Sequence, residues 1–229
     1  MKAPPERSRN IFTDIKYFIL HKPSINTLIE LSGEAEREDY SHRIGQRTGI
    51  DATKYTVLNI HRIGIETPVR YVFEELLHWD GDSTCWPNHI ASVDRLDGQL
   101  EKIKIYLLGF KKFKPLFSLD AKKFQHIPGI SDDNARYLLF DSHGGYPIGF
   151  FAMYVRSAIP EQKETEQAQL FFSVGFDFYG KVGGIDVSII NKIWEKIHNR
   201  VTANVLNRLK QLCEWRFQRL QDGQYNEKQ

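Results

Sequence analysis

Apolar and polar residues alternate most regularly in the segment from Ala168 to Tyr179. An apolar side chain occupies every second position there, and the polar residues and glycine fall between them. The apolar members are Leu170, Phe172, Val174, Phe176 and Phe178. A period of two is typical of a β-strand with one buried face. The segment is therefore predicted to be a strand with one fully apolar face.

Other segments carry weaker strand signals. Tyr55 to Ile65 is rich in β-branched and aromatic residues, and strands are also predicted at Ala135 to Ser142 and Ile148 to Ser157. Asp97-Gly98 lies between two further strand-like runs, which predicts a hairpin. Residues 110–133 contain many lysines and prolines and are interpreted as strand edges and loops.

Two helices are predicted within this part of the chain. Thr67 is a suitable N-cap and Pro68 a suitable first residue for a helix whose apolar stripe is Val69, Val72, Phe73, Leu76 and Leu77. A second helix is predicted from about Asp186 to Leu220, roughly 50 Å long at 1.5 Å per residue. Its apolar stripe consists of Ile190, Trp194, Ile197, Val201, Val205, Leu212 and Trp215.

The ends of the chain differ from its middle. Residues 1–50 combine weak helical periodicity with the charged stretch from Glu34 to Arg47, which predicts an N-terminal helical extension. Residues 51–222 are expected to form one domain, and residues 223–229 a disordered tail. The overall fold class is therefore α+β, with an antiparallel sheet and a long C-terminal helix.

Composition narrows the classes of function. The net charge is only +2, from 31 basic and 29 acidic residues, so no concentrated positive footprint for nucleic acid is expected. Cys85 and Cys213 belong to no metal-ligand spacing, which predicts no zinc site and a reduced, cytoplasmic protein. Ile11 to Leu20 carries charges and is a poor signal peptide, and no apolar run is long enough for a membrane span. No cofactor is predicted.

The order of these elements, over about residues 52–220, resembles the START-like helix-grip superfamily, the polyketide cyclase/dehydrase and lipid-transport group also called SRPBCC. The resemblance depends on the Tyr55 to Ile65 strand, Thr67-Pro68-Val69, Trp86-Pro87 before the Val93 to Gly98 run, and the Phe171 to Tyr179 strand ahead of the last helix. It implies a curved sheet wrapped around the helix, with a deep apolar cavity for lipids, sterols, polyketides or plant-hormone-like ligands. The family also includes cyclases and co-chaperone activators, so the fold alone does not define a function.

The residues expected to line such a cavity are mostly aromatic and aliphatic. They are Trp86, Phe150, Phe151, Tyr154, Phe172, Phe176, Trp194, Ile197, Val201 and Arg208. The apolar members are first of all candidates for the core, and in a gripping fold they would also contact the ligand. Arg208, beside Asn204, lies within the helix stripe; it is either a structural arginine or an anchor for an anionic ligand head.

Other polar groups are weaker candidates. His61 and Arg62 could each be a polar group of the cavity, and Asp141 could orient the imidazole of His143 as a general base, although solvated or structural roles are more common for such residues. In an enzyme, His61, Asp141, His143 or Arg208 would position or protonate the substrate. Asp80 and Asp82 are interpreted as turn residues. The basic cluster Lys111, Lys112 and Lys114, with Phe110 and Phe113, could contact anionic lipid heads, or be a solvated loop.

The favoured function is therefore binding or transport of a hydrophobic or amphipathic small molecule without catalysis. The alternatives are an enzyme of the polyketide cyclase or aromatase type and an adaptor that binds another protein. The expected partner is a hydrophobic small molecule and not a nucleic acid; peripheral membrane contact and a homodimer are left open.

Overall fold

A computed structural model describes residues 10–77, 91–95, 103–107, 117–123, 135–143, 148–159, 167–176, 181–182, 185–186 and 188–226. Within them the helices are α1 (Ile11–Asp14), which continues as a π-helical segment (Ile15–Leu20), α2 (Glu34–Thr48), α3 (Val69–Leu76) and α4 (Ser188–Asn226), with a 3-10 turn at Ala52–Lys54. The strands are β1 (Val57–Ile65), β2 (Ala91–Arg95), β3 (Ile103–Leu107), β4 (Phe117–Lys123), β5 (Ala135–His143), β6 (Ile148–Ser157), β7 (Ala168–Phe176), β8 (Lys181–Val182) and β9 (Ile185–Asp186).

Strands β1 to β7 form one antiparallel sheet in the order β1-β7-β6-β5-β4-β3-β2, and β8 pairs with β9 separately. Every neighbouring pair in the large sheet is antiparallel, and register shifts between Ala121 and Lys123 and between Ile148 and Phe150 interrupt two of the pairings. Such bulges bend and twist a strand locally. The α+β architecture with a long C-terminal helix is thus confirmed.

The two faces of the sheet bury different sets of side chains, because successive residues of a strand point to opposite faces. We call the face that packs with α3 and α4 the inner face. Its core members from the sheet are Val57, Ile63, Ile65, Phe151, Met153, Val155, Ala168, Leu170, Phe172, Val174 and Phe176. The outer face packs against α2 and the 3-10 turn through Leu58, Ile60, Leu139, Phe150 and Ala152.

The clearest predicted strand is confirmed where the structure describes it. Leu170, Phe172, Val174 and Phe176 are all buried and share one core with the middle of α4, through Val205 and Leu209 among others. Phe178 lies outside the described residues. The predicted pairing around Asp97-Gly98 is confirmed by the β2–β3 register, in which Val93 is opposite Ile105, although the turn itself is not described.

Two local predictions were wrong. Residues 117–123, interpreted as strand edges and loops, form the full strand β4 between β3 and β5. The nearby lysines obscured the alternation of Phe117, Leu119 and Ala121 with polar residues. Thr67 does not cap α3: Pro68 occupies the N-cap position with ψ of 150°, no side chain caps that helix, and the buried Thr67 hydroxyl has no hydrogen-bond partner.

The N-terminal segment covers α4 on the side away from the sheet. Asn204 donates to the carbonyl oxygens of Phe18 and His21 at 3.0 and 2.9 Å, and Asn207 donates to that of Ile25 at 2.9 Å. Every residue from 202 to 209 is consequently buried. The middle of α4 is held between the sheet and this segment, and is not a surface helix.

The same segment also covers the edge of the sheet at β1. The backbone N–H of Ile29 donates to Ile60 at 2.8 Å and that of Arg62 donates to Thr27 at 2.7 Å, on either side of a bridge between Leu28 and His61. These bonds use backbone groups that an open edge strand would expose. Residues 27–29 therefore close one edge of the sheet.

Candidate functional site

The inner face of β1 carries two polar residues among apolar ones. Asn59 is opposite Val174 and His61 is opposite Phe172 in the register with β7, so both share a face with the buried core. Both are buried, and His61 is 0% exposed. Burying polar groups costs free energy unless their hydrogen bonds are made elsewhere. If Asn59 and His61 make all their hydrogen bonds within the protein, their role is structural; a polar atom left without a partner could bond to a ligand.

His61 is satisfied on both ring nitrogens. Its Nδ1 lies 2.8 Å from Oγ1 of Thr27, and its Nε2 lies 3.2 Å from Oδ1 of Asn199 on α4. An amide oxygen only accepts, so Nε2 carries the proton and Nδ1 accepts from the threonine hydroxyl. Burial lowers the pKa of His61 to about 4. The hydrogen bond to Asn199 raises this pKa and the nearby His198 lowers it further, but both effects are smaller than that of burial. The imidazole is therefore neutral at pH 7.

His198, next to Asn199 on α4, is not satisfied. Its Nδ1 is buried and has no hydrogen-bond partner, and its ring centroid lies 6.3 Å from that of Phe176. Burial lowers its pKa to about 4, so it is also neutral at pH 7. Nδ2 of Asn59 is likewise buried without a partner. Each such atom costs about 1–3 kcal/mol if nothing bonds to it.

These residues form one cluster, because β1 and α4 bring them together. Val57, opposite Phe176, begins the strand near His198, and His61 is hydrogen-bonded to Asn199; Asn59 lies between them on the same face. We call Thr27, Asn59, His61, His198 and Asn199 the inner polar cluster. Two of its polar atoms, Nδ2 of Asn59 and Nδ1 of His198, are buried without a hydrogen-bond partner beside the apolar core.

The structure separates the predicted cavity residues of the sheet. Phe151, Phe172 and Phe176 lie on the inner face with the cluster. Phe150 packs on the outer face, its ring centroid 5.3 Å from that of Tyr55, and Tyr154 packs there against Phe171. Phe150 and Phe151 are successive strand residues and cannot share a face. Trp86 lies outside the described residues.

On α4 the predicted residues are spread along the helix. Trp194, Ile197 and Val201 are partly buried in its first half, and Val201 packs against the inner core. Arg208 is 2% exposed, and its guanidinium lies 5.9 Å from the ring centroid of Tyr17 in the N-terminal segment. It follows Asn199 by nine residues, or about 13 Å along the helix. Arg208 therefore belongs to the contact between α4 and the N-terminal segment, away from the inner polar cluster.

Among the remaining predicted groups, only Arg62 has a described side chain, and it does not join this cluster. Arg62 is exposed and lies on the outer face. Asp141 and His143 lie at the end of β5, and their side chains fall outside the described part of the chain, as do Asp80, Asp82 and the basic cluster at Lys111, Lys112 and Lys114. Among the described residues no set of three histidines, cysteines or acidic residues could hold a metal ion. Within the same residues, no helix combines the length and apolar character of a membrane span.

Asn59 and His198 were missed from the sequence, although part of the signal was present. Asn59 and His61 are two positions apart in a strand whose other odd-numbered positions, Val57, Ile63 and Ile65, are apolar. His198 follows Trp194 by four residues, which is one turn of a helix. Thr27 could not be found in this way, because it reaches His61 from another segment.

No protein-family model matches the chain, and a search of curated proteins found no match. Solved structures do resemble it. The aromatase/cyclase Zhui from Streptomyces is 16% identical with a TM-score of 0.46, over 70% of this chain and 95% of its own. A Thermus thermophilus protein is 9% identical with a TM-score of 0.45, over 69% and 97%. The lipid transfer and protein localization domain of human StarD13 is 9% identical with a TM-score of 0.43, over 68% and 76%. These are likenesses of fold alone, and what the chain itself shows is the antiparallel sheet with a long C-terminal helix described above.

Proposed function

We propose that the chain binds a hydrophobic or amphipathic small molecule between the inner face of the sheet and the first half of α4. The observation that supports this most is the pair of buried polar atoms without partners, Nδ2 of Asn59 and Nδ1 of His198, next to Phe172 and Phe176. Buried polar atoms in folded proteins are nearly always hydrogen-bonded. A ligand with one polar group could bond to these atoms, and its apolar body could pack against Phe172 and Phe176.

The polar group of that ligand is uncharged. Both imidazoles are neutral at pH 7 because burial lowers their pKa to about 4, so neither provides a positive charge for a carboxylate. The amide nitrogen of Asn59 donates, and the ring nitrogen of His198 donates or accepts according to its tautomer. A hydroxyl or carbonyl group suits these partners. Sterols, fatty alcohols, quinones and aromatic polyketides carry such groups.

A matched pair of ligands tests this proposal. A hydrocarbon and its hydroxylated counterpart should both bind with a negative heat-capacity change in calorimetry, because apolar surface leaves water. Each should also change the fluorescence of Trp194, and replacing Trp194 by Phe should remove that signal. The hydroxylated ligand should bind about tenfold more tightly, the effect of one or two hydrogen bonds.

Amino-acid substitutions test whether the inner polar cluster causes the preference for the hydroxylated ligand. Replacing His198 by Leu deletes one of the two polar partners, so it should reduce the preference for the hydroxylated ligand and leave the affinity for the hydrocarbon within about threefold. His42→Leu, at an exposed histidine of α2, is the control and should keep the preference. If no member of the four ligand classes binds, the proposal is wrong and the adaptor becomes the better hypothesis.

A further inference from the structure

A pocket lies on the outer face, on the opposite side of the sheet from the inner polar cluster. It has a volume of about 140 Å³ and lies between α2 and strands β1, β6 and β7. Its lining includes Arg43, Arg47, Arg62, Arg156, Tyr154 and Phe171. In the register, Arg62 is opposite Phe171 and Phe171 is opposite Tyr154, so the sheet side of the pocket is continuous across three strands.

The pocket has an excess of positive charge. Arg43 forms an ion pair with Asp39, Nη2 to Oδ2, at 2.6 Å. Within the described part of the chain, Arg47, Arg62 and Arg156 have no carboxylate within ion-pair distance. The whole chain has a net charge of only +2, so this concentration is local. Guanidinium groups stay protonated at any ordinary pH.

Aromatic rings and neutral acceptors hold two of these arginines in place. The guanidinium of Arg47 lies 4.7 Å from the ring centroid of Tyr154, and that of Arg156 lies 5.6 Å from that of Phe171. Arg156 also donates to Oε1 of Gln169 at 2.8 Å and to the carbonyl of Ser157 at 3.1 Å. Cation–π contacts and amide acceptors orient a cation without neutralising it. The charges therefore remain available to an anion.

The charges and the shape together indicate the chemical class of the ligand. Arginine binds phosphate through paired, charge-assisted hydrogen bonds, and three guanidinium groups suit a dianion better than a single carboxylate. A cavity of about 150 Å³ accommodates benzene, so the pocket has room for one small group against Tyr154. We propose that this outer pocket binds a phosphomonoester, with the phosphate on Arg47, Arg62 and Arg156.

Calorimetry with phenyl phosphate, inorganic phosphate and phenol tests the proposal on the full chain. Phenyl phosphate should bind most tightly, inorganic phosphate more weakly, and phenol not measurably. The affinity for phenyl phosphate should fall as salt is added, because the attraction is between charges partly open to solvent. Saturable phenol binding of equal strength would overturn the proposal, since the pocket would then recognise the ring and not the charge.

Two variants and a matched control locate the site. Arg62→Gln changes an exposed side chain, and Arg47→Met keeps the packing against Tyr154; each should weaken phenyl phosphate binding at least about tenfold, as expected for a lost bond to a charged group. Arg70→Gln, at an exposed arginine of α3, should leave it unchanged. Melting temperatures close to that of the original chain establish that the variants fold. Unchanged affinity in both pocket variants, or equal loss in the control, would overturn the proposal.

Vesicles distinguish a lipid from a soluble source of the phosphate. The chain should be sedimented by phosphatidylcholine vesicles containing phosphatidic acid if the phosphomonoester is a lipid headgroup, and Arg62→Gln should abolish this. Binding of phenyl phosphate without sedimentation assigns the pocket to a soluble phosphomonoester. If neither probe binds, the proposal is wrong.

Discussion

Acidification should destabilise the fold through His61 and His198. Burial lowers the pKa of each imidazole to about 4, from 6.5, so the folded chain keeps both neutral at pH values where the unfolded chain protonates them. The unfolded state therefore binds more protons between about pH 6.5 and pH 4. The stability that the neutral imidazoles contribute is complete above pH 6.5 and decreases as the pH falls through this window.

The expected magnitude follows from the two shifts. One pH unit inside the window changes the free energy of unfolding by about 1.4 kcal/mol for one histidine. At pH 6.5 the unfolded histidine is already half protonated, so from pH 6.5 to pH 5 the loss is about 1.5 kcal/mol for each histidine and about 3 kcal/mol for the pair. A typical domain has about 5–15 kcal/mol in total, so the effect is large. Most carboxylates titrate below about pH 5, which leaves this part of the window to the histidines.

Urea unfolding followed by circular dichroism at about pH 7.5, 6.5, 5.5 and 5 measures the effect. His61→Gln and His198→Gln should each lose about half of the pH dependence, whatever their stability at neutral pH, because one titrating group is gone. His42→Gln, at an exposed residue of α2, should keep all of it. A free energy of unfolding that is constant from pH 7.5 to pH 5, or an undiminished slope in both variants, would refute the reasoning.

Two further predictions concern packing. Asn207→Ala removes three hydrogen bonds to residues 24 and 25; it should lower the free energy of unfolding by about 2–3 kcal/mol and speed proteolysis of the N-terminal segment, whereas Gln211→Ala at an exposed position of α4 should change neither. Gly175→Ala would place a Cβ 2.2 Å from a ring carbon of Phe150 and should cost about 1–3 kcal/mol by urea unfolding. Gly64→Ala meets nothing within 4 Å and should change stability by at most about 0.5 kcal/mol; equal effects would contradict the packing described.

The sheet and α4 could be predicted because their signals are local. The alternation from Leu170 to Phe176 and the apolar stripe of α4 can each be recognised from residues close together in sequence. Both patterns arise because a strand or helix that buries one face needs apolar residues on that face. The face on which each side chain lies was harder to assign. Phe150 and Phe151 were both expected to contact a ligand because both are aromatic, but the pleat directs them to opposite faces.

The packing of the N-terminal segment on α4 could not be predicted, because α4 bonds to backbone groups of that segment, which every residue type carries. Asn204 bonds to the carbonyl oxygens of Phe18 and His21, and any residue could supply those groups. The same holds for Thr27, whose backbone also pairs with β1. The bonds from Asn204 join residues more than 180 positions apart in sequence, and such contacts produce no periodic pattern of residue types. Arg208, interpreted from the sequence as either a structural arginine or an anchor for an anionic ligand head, lies beside Tyr17 of the N-terminal segment.

Three consecutive residues of β1 divide the molecule into two chemical compartments. Ile60 and Arg62 line the arginine-rich pocket, and His61 between them belongs to the inner polar cluster. The neutral inner polar cluster and the cationic outer pocket are therefore separated by a single layer of backbone. A slip of this strand by one residue would exchange the two chemistries, burying a guanidinium and exposing the imidazole. The backbone hydrogen bonds between residues 27–29 and β1 oppose that slip. The segment that closes the edge of the sheet therefore also keeps the inner polar cluster and the outer pocket on opposite faces.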